Sequence, residues 1–231
     1  DHQKMEAADL VIFATKAYAL EDAILSMSSQ IGNDTLIMSA INGITSETIL
    51  AEHVPAENIL YTIAQGMDAT KTNNRVICHH MGQLCFGAVS DAQIPKVMRV
   101  ARFFVRCGFP YTIKKDILHH QWGKFMLNVG LNQVVALHRG TYASIQQEGE
   151  AREMMISAMR EVVELSAYEG IHLREEELEE WLASCDHLDE NGMPSMAQDV
   201  LAKRQTEVEL FAGEVCKRAK HYGMACPINE A

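Results

Sequence analysis

DLVIFAT, residues 9–15, is the stretch that decides the fold class of the first part of this chain. It is a short apolar run rich in β-forming residues, which is typical of a strand covered on both faces in a parallel sheet. A helical pattern at 18–30 follows it, then a second apolar strand, TLIMSA (35–40), and a helix at about 45–53. This alternation of strands and helices predicts an α/β domain.

The strand signals continue to about residue 115 and then disappear. We therefore predict a partial Rossmann-type α/β domain over 1–115, with its first strands missing, and an all-helical domain over 116–231. The remaining predicted elements of the first domain are a strand at 59–64, a hairpin that pairs 76–80 with 84–89 around Gly82, a helix at 95–107 ended by Gly108, and a strand at 110–113.

The second domain consists of long helical patterns. Two of its helix starts carry the sequence of a capping box, in which a Ser or Thr at the N-cap is followed three residues later by Gln or Glu. These are Ser195 with Gln198 and Thr206 with Glu209. The predicted helices are 117–138, 149–169, 174–185, 195–204 and 207–222.

The composition excludes several classes of function. The chain has 231 residues, and its 20 Lys+Arg against 31 Asp+Glu give a formal charge of −11, which repels a nucleic acid. No apolar run approaches the length of a membrane span, so we expect a cytoplasmic protein without a membrane partner. The 6 cysteines form no C-x-x-C pair, and the adjacent histidines at 79–80 and 119–120 diverge, so no metal site is predicted.

One helix carries a polar stripe on an otherwise apolar surface. In 117–138 the apolar residues surround most of the circumference, whereas Lys124, Asn128 and Asn132 recur every four residues and share one face. Buried polar groups of this kind need partners. One interpretation is a satisfied polar seam that bonds to a carboxylate such as Glu207. The other is a catalytic site, in which a desolvated Lys gives up its proton near neutral pH and the amides hold substrate oxygens.

Four motifs in order resemble those of the ketopantoate reductases (2-dehydropantoate 2-reductases). Trp122–Asn132 looks like the family's W-x-K-x-x-x-N-x-x-x-N helix, and DLVIFATKAY (9–18) is similar to its fourth strand. Ile41-Asn42-Gly43 resembles its N-G turn. SMAQD (195–199), followed by RQTEVE (204–209) and PIN (227–229), looks like its C-terminal pattern. The resemblance covers nearly the whole chain.

This resemblance implies NADPH-dependent reduction of 2-dehydropantoate to pantoate, in pantothenate and coenzyme A biosynthesis. Lys124 would be the proton donor to the 2-oxo group of this small 2-oxoacid. Asn128 and Asn132 would bind the substrate's oxygens, and Ser195 would contact its carboxylate.

The resemblance also implies a set of residues around the cofactor. Asn42 would bridge the nicotinamide and the substrate, and Glu207 would contact the ribose or orient the catalytic groups. Lys16 would lie beside NADPH at the carboxyl end of its strand, where ligands bind in open α/β sheets.

The chain departs from the family pattern at several places. Gln133 replaces a Pro, and we expect this change to alter the local bend of the helix but not the polar stripe. Tyr142 stands near the place of a substrate-binding Asn. Ala212-Gly213 replaces the family's N-G. G-x-G-x-x-G is absent, and the first strand resembles the family's fourth. We therefore expect a fragment that lacks three strands and binds NADPH poorly.

Two alternatives remain open at the level of sequence. The first is a related reductase that acts on another 2-oxoacid or on a β-hydroxyacid. The second is a non-catalytic helical module in which the stripe is structural and the chain forms a homodimer. An accessible cleft that joins Lys124, Ser195, Asn42 and Glu207 would favour the enzyme.

Overall fold

A computed structural model describes residues 6–72 and 75–231. The chain divides into two compact units, Asp1–Gln121 and Trp122–Ala231. The division between these units falls inside a helix, whereas the sequence placed a domain boundary at 115/116. We call the two parts unit 1 and unit 2.

Unit 1 contains a five-stranded sheet in the order β1-β2-β3-β4-β5. Strands β1, β2 and β3 are parallel, β3 and β4 are antiparallel, and β4 and β5 are parallel. This confirms the parallel α/β arrangement that DLVIFAT predicted. The strands are Leu10–Phe13, Leu36–Ser39, Ile59–Thr72, Arg75–Gly87 and Tyr111–Ile113.

The predicted hairpin is wrong. Residues 76–80 and 84–87 both belong to β4, which pairs along its length with β3. Gly82 (φ 60°) lies opposite Gly66 (φ 69°), and both have left-handed backbone conformations. The two glycines let the paired strands bend together, so Gly82 marks a bend where the sequence pattern indicated a turn. The connection between the strands includes residues 73–74, which lie outside the described part.

Helices cover both faces of this sheet. One core joins Val11 and Phe13 of β1 to the first helix, and a second joins Met38 and Phe86 to the third. Burial on both faces explains the continuous apolar sequence of β2. In β1 the face of Val11 and Phe13 is buried, whereas Ile12 on the other face is 39% exposed. The prediction that DLVIFAT is covered on both faces is therefore wrong at Ile12. The helices of unit 1 are α1 (Leu20–Met27), α2 (Ser46–Ala51) and α3 (Ile94–Cys107), which ends at the left-handed Gly108 as predicted.

Unit 2 is helical, and the long helix with the polar stripe enters it from unit 1. The predicted helix 117–138 is three consecutive segments: α4 (Ile117–Leu127), a π-helical stretch (Asn128–Asn132) and α5 (Gln133–Leu137). The other helices are α6 (Ala143–Gln146), α7 (Glu150–Tyr168), α8 (Glu175–Asp186), α9 (Ser195–Leu201), α10 (Ala212–Tyr222) and α11 (Pro227–Glu230).

Both predicted capping boxes are wrong. The N-cap of α9 is Pro194, whose extended backbone (ψ 159°) places Ser195 inside the helix, where it cannot cap. The chain around Thr206 forms a 3-10 turn over Val208–Leu210 without a side-chain cap, and α10 begins only at Ala212. A carboxylate that accepts from the N-cap backbone does occur at α8, where the Arg174 N–H donates to Glu177 Oε2 at 3.0 Å.

Candidate active site

The π-helical stretch contains both asparagines of the polar stripe. π-helices are rare and occur frequently at functional sites. Gly130, in the middle of the stretch, packs closely against α7: a Cβ at this position would lie 2.5 Å from Met159 Cγ and 2.9 Å from the Met155 carbonyl oxygen. A glycine in the middle of a buried helix was the only sequence signal of this irregularity, and periodicity alone missed it.

The three stripe residues differ in their environments. Asn128 and Asn132 are each 6% exposed, whereas Lys124 is partly buried. Asn128 Nδ2 is buried without a hydrogen-bond partner. An unpaired donor costs about 1–3 kcal/mol, and a ligand oxygen is a group that can remove this cost. The asparagine can therefore donate a hydrogen bond to a bound molecule.

Gln133 holds the end of the π-helical stretch. Its Nε2 donates to the Val129 carbonyl oxygen at 2.8 Å, and its Oε1 accepts from the Ala212 N–H at 3.0 Å. Asn229 on α11 continues the network, because its Nδ2 donates to Glu161 Oε2 at 2.6 Å and its Oδ1 accepts from Gln133 at 3.4 Å. Gln133 thus makes side-chain contacts that a proline at this position could not make.

Two further predicted residues belong to unit 2. Ser195 is exposed and begins α9, a helix that packs against α5 and the π-helical stretch. Glu207 is 6% exposed and directly precedes the 3-10 turn before α10. The fold therefore brings the helix of Ser195 beside the helix of the stripe, and it buries the Glu207 carboxylate in the same unit.

Lys16 and Asn42 belong to unit 1. Lys16 follows β1 and Asn42 follows β2, and these strands are adjacent and parallel. Both residues therefore lie beyond the carboxyl edge of the sheet, the edge at which open α/β sheets bind ligands. Gly43, with φ 89°, supplies the left-handed conformation that turns the chain after Asn42.

Glu47 is a buried acid that sequence reasoning missed. It is 2% exposed, and its Oε2 accepts from Ser46 Oγ at 2.9 Å and from Gln121 Nε2 at 3.1 Å. Its Oε1 has no hydrogen-bond partner. Burial raises the pKa of the carboxyl. Hydrogen bonds from the backbone of Glu47 itself, from the side chains of Ser46 and Gln121 and from the backbone of Thr62 oppose the rise only in part. Helical spacing from the buried Leu50 was the signal that could have placed Glu47 on an inner face.

Family profiles match both parts of the chain. The profile described as ketopantoate reductase PanE/ApbA matches residues 1–91, and the one described as ketopantoate reductase PanE/ApbA C terminal matches residues 116–231. The chain belongs to the ketopantoate reductase family. This confirms the resemblance found in the four motifs, and with it the Rossmann-like domain followed by a helical one.

The relatives of this ketopantoate reductase family member are enzymes. The chain is 28% identical over 223 residues to a 2-dehydropantoate 2-reductase of Halobacterium salinarum, covering 96% of this chain and 72% of the relative. It is 23% identical over 224 residues to one of Vibrio cholerae, covering 97% and 75%. These relatives are oxidoreductases that are named for the reduction of 2-dehydropantoate.

Solved structures share the fold. A dimeric ketopantoate reductase from Staphylococcus aureus superimposes with a TM-score of 0.84 at 22% identity, covering 97% of this chain and 75% of that one. D-mandelate dehydrogenase in complex with NADH superimposes with a TM-score of 0.88 at 25% identity, covering 96% and 76%.

The described residues contain neither a membrane-spanning helix nor a metal-binding cluster. Within 6–72 and 75–231, no helix has the length and apolar character needed to cross a membrane. The same part of the chain contains no cluster of His, Cys, Asp and Glu that could hold a metal ion. The side chain of His79, one of the adjacent histidines, lies outside the described residues.

Proposed function

We propose that this protein reduces 2-dehydropantoate to pantoate with NADPH. The observation that carries the proposal is the buried Asn128 amide, whose Nδ2 has no hydrogen-bond partner. It lies on the helix that also carries Lys124 and Asn132, in a chain of the ketopantoate reductase family. A substrate oxygen supplies the acceptor that this donor lacks.

The residues of unit 2 act on the substrate. Lys124 donates a proton from Nζ to the oxygen of the 2-oxo group as negative charge develops there, which leaves a hydroxyl group. Asn128 and Asn132 hold substrate oxygens by hydrogen bonds, and Ser195 contacts the carboxylate. Fixed donors of this kind cost no reorganisation during the reaction.

The residues of unit 1 fit a nicotinamide dinucleotide. Lys16 and Asn42 follow neighbouring parallel strands, which is where such cofactors bind in Rossmann-type sheets. Bound NADPH supplies the hydride. Lys16 and Asn42 would hold the cofactor, with Glu207 contacting its ribose or orienting the catalytic groups. D-mandelate dehydrogenase, which shares the fold, is described in complex with NADH, and this supports a nicotinamide cofactor.

A second candidate is the reduction of an aromatic 2-oxoacid. D-mandelate dehydrogenase is as similar to this chain in fold as the ketopantoate reductases are. Tyr142 stands near the place of a substrate-binding Asn in the family, and its ring packs against Gly192. An aromatic ring at this place favours a substrate that itself carries an aromatic ring.

A panel of substrates separates these functions. The full-length protein would be assayed with 2-dehydropantoate, benzoylformate and pyruvate, each with NADPH and with NADH. We expect the highest kcat/KM for 2-dehydropantoate with NADPH. A preference for benzoylformate would replace the first candidate by the second.

The same preparation tests the assembly and the non-catalytic alternative. The dimeric ketopantoate reductase of S. aureus supports a homodimer here, which sedimentation velocity would detect. A dimer that reduces none of the three acids would favour a helical association module, and would contradict both enzymatic candidates.

A further inference from the structure

Glu47 connects two segments of unit 1 that lead to proposed active-site residues. It lies in the first turn of α2, shortly after the Asn42-Gly43 turn. Its carboxylate accepts from Gln121, the last residue of unit 1 on helix α4. Lys124 follows Gln121 on the same helix. The side chain of Glu47 thus joins the chain after Asn42 to the helical turn before Lys124.

Burying the Glu47 carboxyl lowers the stability of the folded protein. A buried carboxyl has lost its hydration, and Oε1 recovers none of it through a hydrogen bond. A pair of apolar residues with the shapes of Glu47 and Gln121 would fill the same space without this cost. Proteins retain such locally unfavourable groups mainly where function requires them.

The contact also has a defined geometry that apolar residues would lack. Oε2 receives two side-chain donors, Ser46 Oγ at 2.9 Å and Gln121 Nε2 at 3.1 Å. Gln121 is itself 2% exposed. Hydrogen bonds between buried groups fix the distance and direction between two elements, whereas apolar contacts allow them to slide.

We propose that Glu47 is a positioning residue, which holds the first turns of α4 in place through Gln121 and thereby sets the position of Lys124. The proposal rests on the proposed function, because Lys124 is its proposed proton donor. Glu47 does not touch the reacting atoms. It acts on the helix that carries the donor.

Kinetics of matched variants test this role. In the full-length protein, Glu47→Ala removes the acceptor, and we expect kcat to fall about tenfold because small errors in the position of a catalytic group reduce rate strongly. The KM for NADPH stays close to its original value. Glu47→Gln keeps an acceptor oxygen and the same shape, and restores kcat. Glu52→Ala, the same change at an exposed position that ends α2, has no effect.

A structural measurement separates this proposal from the proposed function. Amide hydrogen exchange of residues 117–121 would be measured in the same variants. We expect about tenfold faster exchange in Glu47→Ala and unchanged exchange in Glu47→Gln and Glu52→Ala. Gln121→Met breaks the contact from the other side at similar volume, so it replaces Glu47→Ala if that variant does not fold.

Each outcome has a definite meaning. Unchanged exchange or unchanged kcat in Glu47→Ala overturns the positioning role, as does a Glu47→Gln variant that loses as much kcat as Glu47→Ala. If the unmodified protein reduces none of the 2-oxoacids, the proposed function fails. The exchange data then decide by themselves whether Glu47 holds α4.

Discussion

Among the described residues, Asn128 and Glu47 are buried polar side chains that each have an atom without a hydrogen-bond partner. Asn128 in unit 2 has an unpaired Nδ2, and Glu47 in unit 1 has an unpaired Oε1. Asn128 lies in a row of polar residues at four-residue spacing, which a ligand can bridge. Glu47 shares the inner face of α2 with Leu50, and its carboxylate accepts hydrogen bonds from Ser46 and Gln121. A missing hydrogen bond therefore indicates a bound ligand at Asn128 and a positioning role at Glu47.

The largest effect should come from the cation at the start of the stripe. Lys124→Ala in the full-length protein should lower turnover by about 10² or more, because a general acid contributes that much to rate. Steady-state kinetics measure this loss, with the exposed Lys220→Ala as the control. Unchanged turnover would show that the polar stripe is structural. Asn128 would then have no ligand-binding role to set it apart from Glu47.

Close packing of the π-helical stretch can be tested with Gly130→Ala. The added methyl group would meet Met159 and the Met155 carbonyl, so the free energy of unfolding should fall by about 1–3 kcal/mol. Gly213→Ala is the matched helical control, because the nearest atoms that its Cβ would meet all belong to the flexible Glu209 side chain. Denaturant unfolding measures both. Equal effects would mean that Gly130 is not required for the close approach of α7.

The unpaired amide itself is tested with Asn128→Leu. We expect turnover to fall about tenfold, since a substrate hydrogen bond is lost, while the free energy of unfolding rises by about 1 kcal/mol because a buried unpaired donor is removed. Kinetics and denaturant unfolding are measured on the same sample. A fall in stability with no change in turnover would make Asn128 a structural residue.

The smallest effect concerns the pH dependence of stability due to Glu47. Its pKa is raised in the folded protein above the ordinary value of 4.5. The folded form therefore holds its proton more tightly, and the resulting stabilisation is complete below pH 4.5 and is lost as pH rises through the folded-state pKa. The free energy of unfolding of the unmodified protein should fall with pH relative to Glu47→Gln, by at most about 1.4 kcal/mol per pH unit. A constant difference over this range would contradict the raised pKa.

The sequence by itself determined the class of each part of the chain. Apolar runs identified the parallel strands β1 and β2, because strands inside an α/β domain are largely buried. Helical spacing placed Lys124, Asn128 and Asn132 on one helix. The motifs identified the family, and the roles assigned to the site residues stay predictions.

Only the tertiary structure decided the features that depend on contacts between distant segments. β4 pairs with β3 and does not fold back on itself, because the strand bends at Gly82, beside Gly66, without reversing direction. The π-helical stretch occurs where Gly130 packs closely on α7. Periodicity indicates which side of a helix or strand is buried, but it does not indicate which residues of other segments contact that side. For that reason the unpaired atoms of Asn128 and Glu47 were visible only in the folded chain.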